Sequence, residues 1–242
     1  MRSLLFAFAV LILHCQSPKG FAYQSNPLFG WLKTTSLERT ADTSAIFKRY
    51  PDILANDFEF PVGGKYAEGY YIAQKFGVEN GRFGNRFHLG EDWNFVAGGD
   101  SDYASPIYSI SDGVVSLTAN YGGGWGKVIR IVHKLPNSQN NSSLYLESLY
   151  AHLYTIEVEP GQIVRKGEWI GSIGDAGGKY PAHLHFELRN QKDAPLGGGY
   201  AFSLDGYIAP TKFLIQQLAK EKKITEEQFT YDRSLGITPA GP

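Results

Sequence analysis

The stretch Pro181-Ala182-His183-Leu184-His185-Phe186-Glu187-Leu188 places two imidazoles two residues apart inside an apolar, strand-like run. On a β-strand residues i and i+2 share a face, so His183, His185 and Glu187 point one way while Leu184, Phe186 and Leu188 point into a core. On a helix of ~3.6 residues per turn the two rings would stand about 200° apart, and no common ligand could touch both. The strand is therefore also the form in which the pair can bind a metal.

The rest of the chain favours strands too. Tyr 15, Phe 15 and Gly 28 suit strands and tight turns better than helices, and 242 residues with 43% hydrophobic content fit one main domain with extensions. Strand-like segments recur at Tyr70–Ile72, Pro106–Ile110, Gly113–Thr118, Lys127–His133, Leu144–Leu153, Glu157–Glu159, Gln162–Val164 and Trp169–Ile173. Gly-rich tips at Gly98-Gly99, Gly122-Gly123-Gly124 and Gly197-Gly198-Gly199 separate some of them, and Leu135–Ser143 reads as a long hairpin loop.

Two short helices are expected, one near Ser44–Arg49 and one near Thr211–Lys223 with Phe213, Leu214 and Leu218 on one side. Phe58-Glu59-Phe60-Pro61-Val62-Gly63-Gly64 reads as the entry to the domain. The expected organisation is a tether over residues 23–57, a domain over 58–215 and a peripheral tail over 216–242. No period of 20 to 50 residues repeats, which excludes solenoids and propellers. The turn pair Pro160–Gly171 has the pattern of a biotinyl or lipoyl carrier but lacks its lysine context.

Arg2 precedes an apolar run from Leu4 to Leu13, followed by a polar stretch, in the manner of a secretory signal. About ten residues are too few for a spanning helix, which needs roughly 20. Residues 1–22 are read as this signal, cut before Cys15 or after Ala22. Cys15 is the only cysteine, which excludes an intramolecular disulfide, and Ile12-Leu13-His14-Cys15 resembles a lipobox that would make it a lipid anchor. The lipoprotein reading is preferred, with His14 a departure from the usual small residue. A net charge of -1 with no long basic run points away from nucleic acid. The expected location is the bacterial cell envelope, with the membrane touched only through Cys15.

A second stretch, Phe87-His88-Leu89-Gly90-Glu91-Asp92-Trp93-Asn94, carries an imidazole four residues before a carboxylate, with a glycine to free the turn between them. His88 and Asp92 could reach one cation, which His185 would complete as a third ligand. Three nitrogen and oxygen donors leave a fourth tetrahedral position for water, the arrangement of a catalytic Zn²⁺ site. Two neutral imidazoles and one carboxylate leave about one positive charge there, which draws the pKa of the water towards ~7. His152, in Tyr150-Ala151-His152-Leu153, is read as facing away from Leu149, Ala151 and Leu153, and it would flank the water together with His183. Either ring could take a proton or hydrogen-bond a forming oxyanion.

His88-x-x-x-Asp92, Tyr150-Ala151-His152-Leu153 and His183-Leu184-His185, in this order, resemble the lysostaphin-type (LytM-type) zinc metalloendopeptidases. The resemblance runs from about Phe58 to Arg189 and includes Asp112-Gly113-Val114-Val115, Gly124-Trp125-Gly126 and the Gly161–Gly171 segment. It implies an open antiparallel β-sheet groove of the duplicated hybrid-motif kind, with His88, Asp92 and His185 as zinc ligands and His152 and His183 as catalytic histidines. It implies peptides of bacterial peptidoglycan as substrates. The Leu135–Ser143 loop and a missing glycine-threonine element before Tyr150 depart from the pattern. A second reading, on the same fold, is a non-catalytic envelope protein that activates another wall hydrolase.

His133 is read as a structural strand-end histidine, Glu91 as pointing away from the site, and Glu187 as either orienting a ligand histidine or pairing with Arg189 at the surface. Residues 23–57 are a candidate inhibitory segment, with Asn26 or Asn85 as a cap on the metal.

Overall fold

The computed structural model describes residues 38–136, 145–232 and 236–239. The amino-terminal signal region, Cys15, Asn26 and most of the Leu135–Ser143 loop lie outside these residues. The chain is mainly β. Its principal sheet is built on β1 (Arg39–Thr40), β2 (Tyr70–Gln74), β3 (Glu91–Phe95), β4 (Gly113–Gly122), β5 (Gly126–Lys134), β6 (Tyr145–Leu153) and β7 (Leu184–Arg189). Their order across the sheet is β1-β4-β5-β6-β7-β3-β2, antiparallel throughout. Two short strands, Ile163–Val164 on β4 and Tyr207–Ile208 on β7, complete nine.

Alternation explains why this sheet forms and where its core lies. Phe186, Leu184 and Leu188 of β7 join Trp93, Tyr150, Ile129, Ile131 and Phe60 in one apolar cluster. At ~25 cal/mol per Å², each fully buried side chain of this size stabilises the fold by roughly 1.5–3 kcal/mol. The opposite face of β4 to β6 packs a smaller cluster of Leu117, Ala119, Val128, Leu149 and Ala151. The central strands are thus covered on both faces, and the polar residues among them, Glu147, Glu187 and Arg189, are fully buried. Of the two readings of Glu187, the pairing with Arg189 is made, but in the core and not at the surface.

The flanking segments are more firmly attached than composition suggests. Residues 38–57, read as tether, give β1 to the sheet edge and a helix α1 (Thr43–Arg49), whose amino end is capped by Asp42 accepting from the Ala45 N–H. Phe47 and Ile53 are buried against Val114 and Val132. The residues read as a peripheral tail begin inside helix α2 (Pro210–Lys222), where Leu214 and Leu218 reach the main core, and continue to a hairpin whose Ile237 is buried there too. Ala209 offers no capping side chain to α2, so the buried Glu91 carboxylate takes that role and accepts from Thr211 N–H and Oγ1. Burial raises the Glu91 pKa to about 7 despite those bonds. The expected strand Glu157–Glu159 does not form, the pairing falling at Thr155–Ile156 instead.

Candidate active site

Pairing of β7 with β3 sets His185 opposite Asp92. His88 ends the strand Arg86–His88, and the Leu89-Gly90 bend returns the chain into β3 so that His88 and Asp92 face the same point. Gly90 serves close approach here, not a special φ. A Cβ on it would lie 2.5 Å from the Phe186 carbonyl oxygen and 3.1 Å from His185 Cε1.

Three donor atoms converge. His185 Nδ1 lies 2.9 Å from Asp92 Oδ1, His88 Nε2 lies 3.1 Å from His185 Nδ1, and His88 Nε2 lies 3.4 Å from Asp92 Oδ1. The outer ring atoms set the tautomers. His88 Nδ1 faces the Lys75 carbonyl oxygen at 3.3 Å and donates to it, which leaves Nε2 bare. His185 Nε2 faces Glu187 Oε1 at 3.1 Å and donates to it, which leaves Nδ1 bare. With both rings neutral, two lone pairs and a carboxylate meet at one point, an arrangement relieved by a metal ion or, in its absence, by a proton. A tetrahedral ion with bonds of ~2.0–2.1 Å separates its ligands by about 3.3 Å, so this donor set fits zinc in both chemistry and spacing. His88, Asp92 and His185 are also the one group of three such residues, among those described, arranged to hold a metal.

The same demand for positive charge shows in the protonation of the bare site. Burial disfavours a charged His185, but its hydrogen bonds to Asp92 and Glu187 prevail and raise its pKa to about 9. Burial would raise Asp92 as well, yet hydrogen bonds from His185 and His88 hold its carboxyl well below the usual range.

His152 reaches the site through a break in β6. Between Lys127↔Leu153 and Ile129↔Tyr150 the pairing shifts, three steps on β6 matching two on β5, so β6 carries one extra residue. His152 takes a left-handed φ of 65°, and the strand changes face around it. Leu149 and Ala151 lie in the smaller cluster while Tyr150 and Leu153 lie in the main core. The expectation that Leu153 shares a face with Leu149 and Ala151 fails for this reason. In an unbroken strand His152 would follow Tyr150 into the core; the bulge turns it out. Its Nδ1 faces the Trp125 carbonyl oxygen at 3.3 Å. Burial, then the neighbouring His185 and His183, push its pKa well down.

His183 bridges to Gly174, where β6 has peeled away, and its Nδ1 faces the Pro181 carbonyl oxygen at 2.8 Å. Its Nε2 is 3.8 Å from Asp92 Oδ1, and its ring centroid is 4.7 Å from that of His152. All five residues expected at the site line one cleft of ≈ 460 Å³. Asn85 is not among its lining residues, and neither is any residue of 38–57.

The sequence reading missed the aromatic walls. Tyr180 packs against both His152 and His183, while Tyr200 stacks on Phe83 and leans over His88. Trp125, noted only as part of a motif, lies edge-on to His185 and donates Nε1–H to the Gly197 carbonyl. Trp125 and Tyr200 adjoin the glycine-rich tips at 122–124 and 197–199, whose Gly124, Gly198 and Gly199 line the cleft.

Three side chains that could hold a metal and two further imidazoles thus share one open cleft. Residues 86–196 match the model of peptidase family M23, in keeping with the lysostaphin-type motifs. The chain is 32% identical over 153 residues to the L-Ala--D-Glu endopeptidase of Bacillus subtilis (strain 168), covering 59% of this chain and 41% of that protein. It is 30% identical over 139 residues to the peptidoglycan DD-endopeptidase ShyA of Vibrio cholerae, covering 57% of this chain and 28% of that one. It thus spans less than half the length of these relatives. Among solved structures, the catalytic domain of lysostaphin from Staphylococcus simulans is 25% identical with a TM-score of 0.42, covering 60% of this chain and 92% of that one.

Proposed function

We propose that this chain is a zinc-dependent endopeptidase that hydrolyses peptide cross-links or stem peptides of bacterial peptidoglycan. The observation that carries the proposal is the meeting of three unshared donor atoms, on His88, Asp92 and His185, beside the free Nε2 atoms of His152 and His183. A zinc ion held by those three residues would polarise a peptide carbonyl and acidify water in the same cleft.

The chain's own groups then handle protons. His152 keeps its proton at Nδ1, towards the Trp125 carbonyl, so Nε2 is the acceptor that takes a proton from the attacking water. His183 carries its proton at Nδ1, towards the Pro181 carbonyl, and donates from Nε2 into the cleft once protonated there. Tyr180, packed on both rings, restricts their rotation and shields them from bulk water. The aromatic walls suit an extended peptide laid across the site. One relative named as a peptidoglycan DD-endopeptidase and one named for an L-Ala--D-Glu bond support that substrate class, and a wall substrate requires export, in keeping with the signal-like residues 1–22 and the lipid anchor read at Cys15.

The test is mass analysis of fragments released from purified peptidoglycan with and without a zinc chelator. Chelator-sensitive release of peptide-cleaved fragments is expected, and their masses identify the bond. Intact peptidoglycan after incubation with folded, zinc-loaded protein would overturn the proposal.

A further inference from the structure

Glu187, the carboxylate behind His185, does not stand alone. Its Oε2 accepts from Arg189 Nε at 3.0 Å and from an Arg189 terminal nitrogen at 2.7 Å. Both residues are fully buried on one face of β7, two positions apart. The same guanidinium reaches the other way. It donates to the Leu196 carbonyl at 3.0 Å and to the Pro195 carbonyl at 3.3 Å. Those carbonyls begin the segment that becomes the cleft wall: Gly197 accepts from Trp125 Nε1, Gly199 accepts from the Leu89 N–H at 3.0 Å, and Tyr200 leans over His88. Glu147, opposite Arg189 on β6, lies 3.6 Å from the guanidinium and is itself held by Arg130 Nε at 2.8 Å.

We infer that Arg189 is a positioning residue that ties the orientation of His185 to the wall of the substrate cleft. The inference rests on the reading of His185 as a zinc ligand. A planar fork with five donors can hold a carboxylate and two carbonyls at once; a lysine ammonium in the same place cannot. A buried Arg–Glu pair is weak evidence for stability in itself, since desolvation offsets much of the attraction. Its worth here is geometric. If the fork fails, Glu187 loses its orientation, His185 Nδ1 no longer aims at Asp92 and His88, and the 195–200 wall loosens.

Three variants of the full chain separate this from a merely structural role. Glu187→Gln removes the carboxylate behind His185 and leaves Arg189 its carbonyls; Arg189→Lys weakens both connections; His133→Gln disturbs a buried polar side chain, held by the Asp112 carbonyl and Ser148 Oγ, that touches neither. Zinc affinity is read by chelator competition, ligand geometry by the visible spectrum of cobalt(II) in place of zinc, and the wall by amide exchange at Leu89. Loss of such an outer partner weakens metal binding by about 10–100-fold, so zinc affinity should fall by that much in Glu187→Gln and Arg189→Lys, with a shifted cobalt spectrum. Leu89 exchange should rise about tenfold in Arg189→Lys alone, its opening no longer opposed by the fork. His133→Gln should stay within about twofold of the native chain on both readouts, as sites without shared partners do.

Unchanged zinc affinity and exchange in folded Arg189→Lys would overturn the inference, as would equal changes in His133→Gln. Should Arg189→Lys not fold, Glu187→Gln still decides: native affinity and a native cobalt spectrum there would sink it. A native chain that binds zinc but releases nothing from peptidoglycan defeats the proposed activity alone, because none of these readouts uses turnover.

Discussion

Strand β7 delivers His185 by unbroken pairing, in register with Asp92 on one side and Ala151 on the other, whereas β6 next to it delivers His152 by a bulge and a left-handed residue. The two imidazoles end 5.5 Å apart, centroid to centroid. The difference matches the demands of the role proposed for each. A ligand must meet fixed partners at fixed distance, which a ladder with carboxylates ahead and behind provides. A proton acceptor must face open cleft rather than core, and the regular ladder would have buried it. A non-glycine residue at positive φ costs on the order of 1 kcal/mol or more, a strain the surrounding pairing sustains at a functional site.

Removing each ring should break the comparison most sharply. His185→Ala should lose both zinc and hydrolysis. His152→Ala should keep its zinc while kcat falls by about 10²–10⁴, the usual worth of a positioned proton acceptor. Zinc content by elemental analysis and turnover on purified peptidoglycan check both. Loss of zinc from His152→Ala would put that ring among the ligands, and native turnover would remove it from the chemistry.

Two glycines sharpen the contrast, because each stands where one histidine needs close backbone approach. A Cβ at Gly174 would lie 2.5 Å from Tyr154 N and 2.6 Å from the His152 carbonyl oxygen; one at Gly90 would strike the Phe186 carbonyl beside His185. Gly174→Ala should push the bulge open and lower kcat by about 10²-fold with zinc retained, since a displacement near 1 Å costs that much. Gly90→Ala should instead weaken zinc binding. Matching losses of zinc and turnover in both variants would show that bulge and ladder are not separable.

The same contrast explains what could be read from the chain. Period two in His183-Leu184-His185-Phe186 is local, so the ligand strand and its core face were legible, as was the spacing of His88 and Asp92. The bulge was not. Tyr150-Ala151-His152-Leu153 carries no glycine or proline to mark it, and the backbone packed against it, at Gly174, comes from another segment. Tyr180, Tyr200 and Phe83 escaped notice because they become cleft walls only through long-range packing. The edge segment 38–57 and the end of the chain read as tether and tail because their few apolar residues, Phe47, Ile53, Leu218 and Ile237, find partners only in the folded sheet.

His133 supplies the smallest effect and a control for ladder-held histidines. It sits on regular β5, fully buried, with Nδ1 donating to the Asp112 carbonyl oxygen at 3.0 Å and Nε2 accepting from Ser148 Oγ at 2.8 Å. It has the regularity of His185 without its carboxylates, so burial lowers its pKa to about 4 from 6.5 instead of raising it. Between those values the unfolded chain binds the proton and the folded chain does not, so stability rises with pH. The contribution is complete above pH 6.5 and is lost as pH falls towards 4, in total roughly 3 kcal/mol at 1.36 kcal/mol per unit. His133→Gln should flatten this part of the stability profile, measured by denaturant unfolding from pH 4 to 7, while zinc affinity at pH 7 stays native. An unflattened profile would mean that His133 is protonated in the fold, and that the carboxylates are not what distinguishes the ligand strand.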